Sequence, residues 1–242
     1  MDHSYLYSTR IENNYDEDQA DIISVLKQEL MKNPKFAIRL INFCKGLPIS
    51  YPAKLVEIDK NNIEVDVYPQ QAVIMSEQRY TFIRSHVLKH DLYAKVQYVN
   101  VKRRAASLAK LSYVEIMAER RNYLRMELDE PQHAHFMTSA EIVTGKLTEL
   151  SIIGACIRVE QPCSLEIDDE ITIRFMLRNI AQNLNYNVSM PARLVSIRGD
   201  ALPRYYAFAT TPDKTVDRQI AQYIFQRQIE IIREIKDACE YS

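Results

Sequence analysis

Apolar residues change their spacing twice along the chain. Between Asp18 and Lys32 they fall at Ile22, Val25, Leu26, Leu30 and Met31. Steps of three and four predict an amphipathic helix, with Pro34 marking its end. The residues before it show no period and read as an irregular arm. Phe36 to Lys45 fits either a short helix or a first strand. From Tyr51 the period becomes two. The expected strands are Ala53 to Ile58, Asn62 to Val67, Ala72 to Met75, Arg79 to Ser85, Leu92 to Val101 and Ala105 to Ser112, with turns such as Asp59-Lys60-Asn61 between them. A second series follows Arg120: Leu124 to Glu127, His135 to Val143, Lys146 to Leu150, Ala155 to Val159, Glu170 to Leu177, Tyr186 to Ile197 and Tyr205 to Thr210. Pro131, Pro162 and Pro203 fall in its gaps. The helical period returns from Asp213 to Glu240, with a stripe through Val216, Ile220, Tyr223, Ile224, Ile231 and Ile235.

Two runs of short strands predict a mainly β chain: two antiparallel β-barrel domains in tandem, flanked by an N-terminal and a C-terminal helix. The expected divisions are an arm at 1–17, a first barrel domain at 18–114, a linker at 115–125, and a second barrel domain with its helix at 126–242. The last helix carries more apolar surface than one barrel needs. Phe225, Ile229 and Ile232 broaden its stripe to a second face, which points to a homodimer.

Composition narrows the function. Thirty-one basic and 32 acidic side chains leave a net charge of −1 among 242 residues, which disfavours a DNA or RNA polymer as partner. Only four glycines are present, Gly46, Gly145, Gly154 and Gly199. They form no dinucleotide-binding, Walker or nucleophile-elbow pattern. The four cysteines contain no C-x-x-C pair. Neither a signal peptide nor an apolar run long enough to enter a membrane is expected, so the reading is a cytoplasmic protein. His86 with His90, and His133 with His135, lack supporting ligands at metal-site spacing, so no metal is expected. Cys156, in an apolar strand, reads as core. With no support for a catalytic triad, the chain reads as a non-enzyme without a cofactor.

The near-neutral total hides a local asymmetry. Met1 to Leu30 holds seven acids and two bases, whereas Lys95 to Arg125 holds eight bases and two acids. Lys102-Arg103-Arg104 reads as the exposed face of a strand. At the junction between the two strand series stands Glu119-Arg120-Arg121-Asn122-Tyr123-Leu124-Arg125, an R-R-x-x-x-R run. It is followed by Glu149-Leu150-Ser151-Ile152-Ile153-Gly154, an E-x-S-x-x-G turn between apolar strands. Arginine suits an anion that also carries flat bases. Its fork binds phosphate oxygens or guanine O6 and N7, and its plane stacks on aromatic rings. The carboxylate can accept from the N–H groups of guanine. Each half alone reads as a solvated linker or a structural turn; the order and spacing of the two give the pair its meaning.

The pair resembles the PilZ family, the bacterial receptors for cyclic di-GMP, whose pattern is R-x-x-x-R followed by D/N-x-S-x-x-G. The resemblance implies cyclic di-GMP as ligand, bound by Arg120, Arg121, Arg125, Glu149, Ser151 and Gly154. A β-rich region ending at the arginines is similar to the YcgR-like arrangement, a split barrel preceding the PilZ barrel. That arrangement implies reorientation of the domains on binding and a protein partner, with flagellar motility as the output. Two positions depart from the pattern. Glu149 is one methylene longer than the usual Asp or Asn, and Ile153 and Ala155 flank the glycine. The alternative is a degenerate PilZ interaction module that no longer binds the dinucleotide.

Overall fold

The computed structural model describes residues 5–138, 141–179 and 184–240. It divides into two compact units. The first comprises Met1–Cys44, Pro48–Asn122 and Ile232–Ser242, the second Lys45–Leu47 and Tyr123–Ile231.

The first unit contains strands β1 (Tyr7–Thr9), β2 (Ala37–Cys44), β3 (Leu47–Asp59), β4 (Asn62–Asp66), β5 (Tyr80–Arg84), β6 (Asp91–Asn100) and β7 (Ala105–Ile116), with helices α1 (Tyr15–Lys32) and α2 (Pro69–Gln78). The strand order is β1-β7-β4-β3-β2-β5-β6, and β6 also pairs with β7, closing a six-stranded antiparallel barrel with β1 outside it. Helix α1 forms because Asn14 caps it: the side chain accepts from the Glu17 N–H at 3.0 Å, and Asp16, Glu17 and Asp18 oppose the helix dipole in the first turn. It buries Ile22, Ile23 and Leu26 in a core with Leu40, Leu55, Ile63, Leu92 and Leu108.

Four local expectations are settled or corrected here. The arm contains β1, whose Tyr7 pairs in register with Ile116 of β7. Phe36 to Lys45 resolves as strand. Ala72 to Met75 is not a strand but the middle of α2. Gln71 to Met75 are all buried, so no polar face betrays the helical period, and a short apolar run is ambiguous between the two states. Pro69 favours helix because a first-turn proline loses no hydrogen bond, and Arg79 closes α2 in the left-handed region at φ 62°. Finally, Lys102, Arg103 and Arg104 form the turn between β6 and β7 rather than part of a strand.

The second unit contains β8 (Met126–Met137), β9 (Ile142–Ser151), β10 (Gly154–Val159), β11 (Glu170–Asn179), β12 (Leu184–Arg198) and β13 (Arg204–Thr210), closed in the order β10-β13-β12-β11-β8-β9. Its core includes Phe136, Val143, Leu147, Leu150, Ile157, Phe175, Leu194 and Phe208. Phe136 and Phe208 meet edge to face, ring centroids 5.6 Å apart. Leu124 to Glu127 and His135 to Val143 do not stand as separate strands. A single β8 runs through Pro131, with its register against β9 shifting between Glu127 and Gln132, and Met137 pairs across a hairpin with Ile142. The expected span crosses residues 139–140, which lie outside the described residues. Helix α3 (Lys214–Glu240) starts at Asp213, whose carboxylate accepts from the N–H groups of Thr215 and Val216 at 2.7 and 2.9 Å. Val216, Ile220, Ile224, Ile231 and Ile235 are buried, while Phe225 is 61% and Ile229 43% exposed. No described helix is long and apolar enough to cross a membrane.

Candidate ligand-binding site

The arginine run falls where the chain passes from one unit to the other. In the first unit β7 ends at Ile116 and a 3-10 turn, Met117–Arg120, follows. Acidic neighbours hold this turn. Glu119 pairs with Arg84 at 2.5 Å, and Arg120 pairs with Glu115, which also binds Arg10 at 3.0 Å. The hydrogen bond from Arg10, with the charges of Arg120 and Arg10 beside it, holds the Glu115 carboxylate below its usual range despite some burial. Arg120 thus has a carboxylate partner in its own unit, and Arg121 is half-buried.

In the second unit Arg125 is exposed just before β8. Its guanidinium makes no ion pair or hydrogen bond among the described residues. Its backbone is closely packed. A Cβ on Gly46, at φ +84°, would lie 1.9 Å from the Arg125 carbonyl oxygen, so only glycine passes there. Around it the Glu127 N–H donates to the Lys45 carbonyl at 3.1 Å, and Asp129 joins Lys45 at 2.8 Å and Arg227 at 2.5 Å.

The E-x-S-x-x-G segment is the β9–β10 hairpin. Ser151 pairs with Gly154, and Glu149 with Cys156. Ser151 is buried, and its hydroxyl donates to the Gly154 carbonyl at 3.2 Å, so the serine clasps the turn that presents Glu149. A Cβ on Gly154 would sit 3.1 Å from the Phe208 carbonyl oxygen and 3.3 Å from the Ser151 Oγ, which explains the glycine by close approach rather than by a special φ.

One residue here is absent from the sequence reading. Arg198, at the end of β12, donates from Nη2 to Glu149 Oε1 at 3.1 Å and to Cys156 Sγ at 3.4 Å. Its Cζ lies 5.8 Å from the centroid of the Tyr205 ring, within cation–π range. Burial works against its charge, but the contacts with Cys156 and Glu149 more than offset this and raise its pKa. Cys156 is core, as expected. Burial pushes its thiol up and the Glu149 carboxylate adds to that, with Arg198 and Thr148 opposing. The second unit therefore brings together Glu149, Ser151, Gly154 and Arg198. Among the described residues no cluster of His, Cys, Asp and Glu could hold a metal ion.

Residues 119–226 match the PilZ domain family. No curated protein matches the chain significantly. Among solved structures it is similar to YcgR from Escherichia coli in complex with c-di-GMP, at 16% identity over 98% of this chain and 99% of that one, TM-score 0.43. It is also similar to the Bacillus subtilis inhibitor of motility MotI/DgrA, at 12% identity over 80% and 96%, TM-score 0.43. A third is the MrkH–c-di-GMP complex of K. pneumonia, at 12% identity over 89% and 96%, TM-score 0.43.

Proposed function

We propose that this protein is a cyclic di-GMP receptor that regulates a protein partner and catalyses no reaction. The observation that carries the reading is the coincidence, within one PilZ match, of R-R-x-x-x-R entering β8 and of a Ser151–Gly154 clasp that presents Glu149 beside an arginine. Arg121 and Arg125 clamp phosphate and guanine, with Arg120 released from Glu115 to assist. Glu149 accepts from a guanine edge. Because segment 115–125 links the two barrel domains, binding orders it and reorients them. The YcgR-like arrangement that the sequence resembles makes control of motility, through the flagellar motor, the output to test first. The exposed Phe225–Ile229 face of α3 is assigned to a second copy of the chain, and light scattering at micromolar concentration distinguishes dimer from monomer.

Calorimetric titration tests the reading. Wild-type protein binds cyclic di-GMP, and Arg125→Ala weakens binding by about 10- to 100-fold, the worth of one bidentate contact. The melting temperature stays unchanged because Arg125 is exposed. Small-angle scattering changes on ligand addition. A wild-type protein that does not bind is the degenerate module, and the reading fails.

A further inference from the structure

Resting on the reading that the second unit takes a guanine dinucleotide, we propose that Arg198 is a specificity-determining residue. It donates from Nη1 to O6 of one guanine while Glu149 accepts from the adjacent N1–H. A guanidinium has five N–H donors in a fixed fork. At Arg198 only Nη2 is engaged, by Glu149 and Cys156. Nε and Nη1 have no partner among the described residues, and the side chain is 45% exposed. Glu149 likewise offers Oε2, which carries no hydrogen bond among the described residues.

The pair therefore presents an Nη1 donor and an acceptor oxygen side by side. Guanine carries the complement, the O6 acceptor next to the N1–H donor. Adenine carries the reverse at those positions, an N6 amino donor next to a bare N1, and so meets donor with donor. The guanidinium is set before any ligand arrives. Its three contacts come from three strands, Glu149 on β9, Cys156 on β10 and Tyr205 on β13, so little ordering remains to be done on binding. The arrangement also accounts for glutamate in place of the shorter acid of the family pattern. Its extra methylene lets the carboxylate reach Nη2 of Arg198 with one oxygen and keep the other for the base.

Wild type, Arg198→Ala and Arg198→Lys are titrated with cyclic di-GMP and with cyclic di-AMP, and each variant's melting is followed by circular dichroism. Wild type prefers the guanine ligand. Arg198→Ala removes one charge-assisted hydrogen bond, weakens cyclic di-GMP by about 10- to 100-fold and leaves cyclic di-AMP nearly unchanged, so the preference narrows. Arg198→Lys keeps a point charge but not the fork, folds without a charge change, and narrows the preference likewise. Wild-type affinity in Arg198→Ala overturns the proposal and leaves the function intact. So does equal loss of both ligands, which marks a phosphate contact. A wild-type protein that binds neither ligand overturns the function and this inference with it.

Discussion

Arg198 and Glu149 stand 49 residues apart. Their contact exists only because β9, β10, β13 and β12 are successive hydrogen-bonded neighbours, so no motif search along the chain could find Arg198. The arginine run and the E-x-S-x-x-G turn, by contrast, are local and legible, although nothing along the chain announces that Ser151 turns inward and clasps Gly154. Gly46 belongs with Arg198. Nothing in its neighbourhood announces that a Cβ would collide with Arg125. We expect Gly46→Ala to lower stability by about 1–3 kcal/mol through overpacking and a positive φ, measured by urea unfolding, and to weaken ligand binding because the Arg125 backbone must move. Glu149→Asp withdraws the carboxylate from Arg198 and should lower cyclic di-GMP affinity, by titration, by roughly tenfold, or about 1.4 kcal/mol. A gain in affinity would show that the longer side chain is a handicap. Cys156 is buried with its thiol pushed up. Iodoacetamide at pH 8 should therefore leave it unmodified in the native protein while the half-exposed Cys44 and Cys163 react, read by mass spectrometry of tryptic peptides.

At the scale of elements, strands with one wet face were the readable ones. Ile63 and Val65 of β4 alternate with polar residues because only one face of the strand meets the core. The period failed where both faces are dry, as in α2, and where β8 slips register around Pro131. Register is a property of the pair of strands, and one strand's sequence does not contain it. Helix α3 was legible from its stripe, and its start has an identified cause in Asp213. Asp213→Ala removes the acceptor for two backbone N–H groups and should cost about 1 kcal/mol, seen as a lower urea midpoint with an unchanged slope. An unchanged midpoint would mean that water caps the helix equally well.

The molecule as a whole should gain stability from its ligand by mass action. At a free concentration of 100 times Kd, cyclic di-GMP adds about 2.7 kcal/mol, a clear rise in melting temperature for wild type and a much smaller one for Arg125→Ala. The division of the chain has a further consequence. The first unit is not continuous in sequence: residues from Ile232 on are grouped with it, after the whole second barrel has intervened, and Ile235 among them is buried. A chain ending at Ile231 should therefore unfold its first unit at a lower temperature than the full chain does. During synthesis the second barrel has all its strands outside the ribosome while the first unit still lacks its last segment. The unit whose barrel leaves the ribosome earlier is thus completed later than its neighbour, and until the end of α3 emerges it is exposed, incomplete, to chaperones.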